Sequence, residues 1–172
     1  ILVELQKKSD AKDVDNENEG EVEGDELLDE IGGLDYKQMI DKTLKDIEEN
    51  SNDFLTPEAL EKYSPKFLHM LENISDQRNV GLHLVYSQFR TLEGIGIFSL
   101  VLEKNGFARF KLTKTSANSW DIDINEADAG KPTYALYTGT ETHEEREIIR
   151  NIYNGDWDFV PTNIAEQLRV KS

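Results

Sequence analysis

The residues best placed for chemistry follow one apolar run. Leu82, Leu84, Val85 and Tyr86 form a run of strand length, and Ser87, Gln88 and Arg90 come directly after it. A hydroxyl, an amide and a guanidinium group therefore stand at the carboxyl end of a predicted strand, the edge where open α/β sheets bind their ligands. A second polar turn, Thr138-Gly139-Thr140, follows the predicted strand Thr133 to Tyr137. Other chemistries fare less well. His143 falls in the first turn of a predicted helix with no Ser or Cys elbow nearby, which disfavours a nucleophilic hydrolase. Asp121 and Asp123 alternate with apolar residues but lack EF-hand spacing and its glycine, so no metal is expected. With no cysteine in the chain, disulfides and thiolate sites are excluded.

The elements that must position these groups can be read from periodicity and turn chemistry. The run at 81–87 reads as a strand covered on both faces. A buried helix from Thr91 to Asn105 follows, and Asn105-Gly106 stops it. Phe107 to Leu112 reads as a second strand. Residues 113–132 are polar and longer than an ordinary connection, the pattern of an insertion whose Trp120 to Ile124 alternation suits a hairpin arm. After the third strand, Thr142 and Glu145 match a capping box for a helix ending at Asn154-Gly155. Upstream, a helix is expected over about 35–50, a second opens at Thr56-Pro57, and a third opens at Ser64-Pro65. Strands alternating with helices argue for a parallel sheet with right-handed crossovers. The fold class is therefore α/β.

Composition divides the chain. Of 172 residues, 37% are hydrophobic and 31% charged, and the formal net charge is −16. Residues 1–60 carry 19 acidic and 6 basic side chains, whereas residues 61–172 carry 16 and 13. The acidity thus belongs to the front, and the nearly balanced remainder does not exclude polyanion binding. We expect residues 1–33 to be an acidic linker or insert, helical or disordered, because Asp10 to Glu30 cannot bury enough surface to offset ordering entropy. Residues 34–79 read as a helical connector and 80–172 as the α/β unit. Residues 1–8 suit the end of an element that begins earlier. The opening Ile-Leu-Val-Glu and the short run before Ser172 are the pattern expected of a piece of a longer polypeptide. No apolar run approaches the roughly 18 residues of a membrane helix, and an intracellular location is expected.

Two segments carry a family resemblance. Leu84-Val85-Tyr86-Ser87-Gln88-Phe89, followed by a helix and Asn105-Gly106-Phe107, resembles motif IV of superfamily-two helicases and translocases, especially the Swi/Snf-like group. Tyr137-Thr138-Gly139-Thr140, with Glu145-Arg146 and Ile152-Tyr153-Asn154, resembles the next block of that family. With Ser64-Pro65-Lys66-Phe67 ahead and Phe89-Arg90-Thr91-Leu92-Glu93-Gly94 after the strand, the chain looks most like helicases of large DNA viruses, including relatives of poxvirus early-transcription ATPases. The resemblance spans residues 63 to 155 and is interrupted by the insertion.

The resemblance implies a partial RecA-like sheet belonging to a second helicase lobe. Such a lobe closes on ATP and magnesium held by the first lobe of the same parent chain, and both lobes grip a DNA or RNA strand. Ser87, Gln88, Arg90, Thr138, Gly139 and Thr140 would then lie near that strand, with Arg146 in an interlobe or structural role. No Gly-x-x-x-x-Gly-Lys-Ser/Thr loop is present. The segment is accordingly expected to bind no cofactor, to supply no catalytic residue and to be inactive alone. A viral parent would place it in a virion or host cytoplasm. The alternative is a non-catalytic α/β interaction module that docks protein partners through the acidic arm or the 113–132 insertion.

Overall fold

The computed structural model describes residues 2–4, 33–89, 94–115, 119–138 and 141–169. The acidic residues 5–32, and with them most of the expected linker, lie outside the described residues.

Four parallel strands form the central sheet. They are β1 (Leu2–Glu4), β2 (Leu84–Tyr86), β3 (Ala108–Arg109) and β6 (Thr133–Tyr137), in the order β2-β1-β6-β3. β1 lies between two partners, with Val3 opposite Val85 on one side and Leu136 on the other. β4 (Leu112–Lys114) and β5 (Trp120–Ile122) make a separate antiparallel hairpin. The helices are α1 (Gly33–Glu49), α2 (Ser51–Phe54), α3 (Pro57–Tyr63), α4 (Pro65–Ser75), α5 (Ile95–Lys104), α6 (His143–Asn154) and α7 (Thr162–Arg169). The molecule is thus mixed α/β, consistent with a partial RecA-like sheet, with seven α-helices among the described residues. None of those helices is long and apolar enough to cross a membrane.

Local sequence explains most helix boundaries. Thr56 Oγ1 accepts the Ala59 N–H at 3.3 Å, and Pro57 takes the first helical position, where its missing N–H costs nothing. Thr142 Oγ1 accepts the Glu145 N–H at 3.3 Å. α5 stops at Asn105, whose side-chain amide donates to Leu55 O at 2.9 Å and Val101 O at 2.7 Å. Gly106 then turns the chain at φ 91°, a region that side chains with a Cβ rarely enter.

The sheet separates two cores. On one face Val85 and Tyr134 pack with Phe98, Val101 and Leu102 of α5 and with Leu60 and Leu71 of α3 and α4. On the other, Phe110 and Ala135 pack with Ile148 and Ile149 of α6, Ile164 of α7 and Trp120 of the hairpin. Neighbours Tyr134 and Ala135 serve opposite cores, as the period-two pleat of a doubly covered strand requires. Burial of a residue such as Phe98 or Leu102 stabilises the fold by about 1.5–3 kcal/mol.

Three features differ from the sequence reading. The first strand is shorter than expected and is covered on one face only: Val85 is buried, but Leu82, Leu84 and Tyr86 are 65%, 59% and 57% exposed. β2 is an edge strand, and on that side the packed core is built on β6 and β3. Second, the apolar stretch 107–112 divides. Ala108–Arg109 joins the central sheet, while Leu112–Lys114 leaves it to pair with β5. Third, Leu2–Glu4, read as the end of an element but grouped with the acidic linker, forms a strand in the middle of the sheet.

Candidate nucleic-acid interface

The carboxyl edge of the sheet brings together Ser87, Gln88 and Thr138. Glu4 pairs with Tyr86 on one side and with Tyr137 on the other. Ser87 and Thr138 therefore leave the sheet at the same level, two strand spacings apart, or about 10 Å. Two polar turns from distant parts of the sequence are thereby brought side by side.

The first turn is tightly organised. Ser87 Oγ accepts the Phe89 N–H at 3.1 Å and donates to Phe89 O at 3.1 Å. The same carbonyl accepts the Ile95 N–H at 3.1 Å as α5 begins. Gly94 is pressed against this knot: a Cβ there would stand 2.1 Å from Phe89 O and 2.6 Å from Ser87 Oγ. The hydroxyl of Ser87 is thus spent on shaping the turn, while Gln88 is exposed beside it. Arg90 lies outside the described residues.

At the second position Thr138 is held by its own neighbourhood. Thr138 is 9% exposed, and its N–H donates to Glu141 Oε2 at 3.0 Å. Its hydroxyl donates to the same carboxylate at 3.3 Å. Glu141 folds back to cap the turn, a role that the sequence reading did not assign; its only local signal is an acid three residues beyond Thr138. Gly139 and Thr140 lie outside the described residues. Arg146 sits one turn into α6 with its guanidinium 5.9 Å from the Tyr137 ring centroid, and its Nε is buried without a hydrogen-bond partner. Of the seven sequence-selected residues, four are described, and all four belong to the carboxyl edge or the first turns of the helix behind it.

Acidic groups shape the electrostatics around α6. Burial pushes the Glu145 carboxyl up, and the nearby Glu141 carboxylate adds to the shift; the Thr142 backbone N–H and the Arg109 charge oppose them. Glu144 behaves oppositely. Lys114 Nζ and Trp120 Nε1 donate to its two oxygens at 2.8 and 2.9 Å, holding its carboxyl below the usual range. This contact and the amide of Asn163, which donates to Trp120 O, fix the hairpin against α6 and α7. Among the described residues, no group of three or more His, Asp or Glu side chains is arranged to hold a metal ion.

Comparison with known proteins gives one informative likeness. The chain is 30% identical over 111 residues to a protein of Acanthamoeba polyphaga mimivirus named "Putative ATP-dependent RNA helicase". The likeness covers 64% of this chain and 17% of that relative. No family model matches the chain, and no solved structure matches it. The similarity supports a helicase-related link.

Proposed function

We propose that this chain forms part of the second RecA-like lobe of a nucleic-acid-dependent ATPase, a helicase or translocase. It contributes grip on a DNA or RNA strand and closure against an ATP-binding first lobe in the same parent protein. The reading rests on one observation above all: Ser87-Gln88 and Thr138 emerge level from two strands of a parallel sheet that flank β1. The likeness to the mimivirus protein supports it. In this role exposed Gln88, together with Arg90, Gly139 and Thr140, meets phosphate and sugar, contacts that hold a strand without reading its sequence. Ser87 and Thr138 set the two turns that present those groups. Arg146 stiffens the helix behind them. ATP and magnesium belong to the parent protein, and this segment alone neither binds nor turns over nucleotide.

The test is fluorescence anisotropy of the 172-residue chain with labelled single-stranded RNA and DNA across a salt series. Binding should weaken steeply with salt, as counterion release requires, and Gln88→Ala combined with Arg90→Ala should abolish it. Salt-dependent binding that survives both substitutions would overturn the assignment of this edge. No binding at low salt favours the alternative, a non-catalytic module that docks protein partners. The exposed apolar flank of Leu82, Leu84 and Tyr86 is the observation in its favour.

A further inference from the structure

At the other end of the strand order from Ser87, the outer side of β3 borders a cavity of about 390 Å³. Its lining includes Glu103, Arg109, Lys111, Asp123, Asp128 and Lys131. By formal charge the three bases and three acids cancel, but the acids are not equally available. Tyr134 Oη donates to Glu103 Oε1 at 2.5 Å, and Lys131 Nζ donates to Asp128 Oδ1 at 2.6 Å. Among the described residues neither Arg109 nor Lys111 makes a salt bridge, although Glu103 and Asp123 stand on the same lining and the Arg109 charge also reaches Glu145 of α6.

Arg109 is the group that asks for a ligand. Its Nε is buried and has no acceptor among the described residues, an arrangement that costs free energy. Its backbone adds a second donor. Ala108 and Phe110 direct their N–H groups to Pro132 O and Tyr134 O of the neighbouring segment. The Arg109 N–H, one residue out of phase, faces away from β6 toward the open edge of the sheet. A guanidinium, a peptide N–H and the Lys111 ammonium thus border one concave space with a rigid strand as its base. Arginine's planar fork suits an oxyanion better than any other side chain.

We propose that this cavity is an oxyanion site that takes the phosphoryl group of a small phosphate monoester. Arg109 holds the phosphoryl oxygens and Lys111 supplies the second positive charge. Asp123 and the amide of Asn125, on the far wall, face the hydroxyl-bearing part of the ligand. The proposal is independent of the nucleic-acid reading, because Arg109 lies in β3 and Ser87 follows β2, the opposite edge strands of the sheet.

The test is a ¹H–¹⁵N titration of the full 172-residue chain with ribose 5-phosphate, inorganic phosphate and a single-stranded RNA oligonucleotide in separate series. Saturable shifts centred on residues 108–112 and 123–131 are expected with both small phosphates. Arg109→Gln should weaken them about tenfold or more, the equivalent of one charge-assisted hydrogen bond. Exposed Lys111→Gln, which leaves the packed cores untouched, should weaken them as well and covers the case in which the Arg109 variant does not fold. Absence of saturable shifts with either small phosphate would overturn the proposal. So would equal affinity in the Lys111 variant. Shifts at these residues with RNA alone would assign the basic groups to a nucleic-acid track and equally overturn the small-ligand site.

Discussion

Phe89 O occupies the space that a side chain on Gly94 would need, 2.1 Å from its ideal Cβ position, with Ser87 Oγ 2.6 Å away. The strand-to-helix turn at the candidate interface is therefore built around a missing methyl group. Phe89 O also ties Ser87 and Ile95 together.

Gly94→Ala should accordingly force the turn open. Overpacking of this kind costs about 1–3 kcal/mol, and thermal denaturation followed by circular dichroism should show a clear fall in Tm. A variant with unchanged Tm would mean that the turn relaxes freely. The Ser87 hydroxyl would then not be held in the way described.

Tyr134 is buried to 1% exposure, with its hydroxyl on the Glu103 carboxylate. Burial, reinforced by Glu103, raises the phenol well above its ordinary value. Because the folded pKa is raised, this contribution to stability is complete below pH 10 and is lost as the pH climbs beyond. Absorbance at 295 nm should show Tyr134 ionising only together with unfolding. Tyr134→Phe should cost about 1 kcal/mol in urea denaturation, since exposed Glu103 regains water.

Adjacent carboxylates on α6 should give opposite pH responses. Glu144, held down by Lys114 and Trp120, stabilises the fold above its ordinary value of 4.5 and loses that effect as the pH falls through its lowered folded pKa. Glu144→Gln should therefore flatten the acid limb of a Tm-against-pH curve. Glu145, pushed up by burial and Glu141, disfavours the fold once ionised. Glu145→Gln should match the wild type below pH 4.5 and gain Tm as the pH rises, because glutamine still completes the capping box. Parallel curves for the two variants would refute this division.

The central position of β1 makes a further demand. Proline has no N–H for a ladder and belongs on sheet edges, so Val3→Pro should detach β1 from its neighbours. Hydrogen exchange at Leu84–Tyr86 should accelerate, since β1 is the strand to which β2 is paired. Unchanged protection there would remove β1 from the sheet.

What could be read in the sequence follows the range of the interactions involved. The Thr56-Pro57 entry, the Thr142 cap and the Asn105-Gly106 stop were legible because each involves atoms a few residues apart. The division of 107–112 was not, since Leu112 turns away only because Trp120 and Ile122 offer it a partner. Nor was the one-sided burial of β2, for a run of Leu, Val and Tyr looks the same in an edge strand as in a central one. β1 has three residues, too few for any period, and its pairing depends on residues more than eighty positions away. In the candidate site, the polar turns were foreseen from the strands that precede them. Glu141 and the Gly94 contact were not, because both depend on how the turn closes in three dimensions.

The sheet order also sets how the molecule would carry a mechanical load. A pull along β1 would shear two parallel ladders at once, one to β2 and one to β6, with their hydrogen bonds sharing the force. A pull across β2 meets a single ladder and could open it pair by pair, like a zipper. Force applied at the Ser87 side of the edge should therefore yield well before force applied along the first residues of the chain.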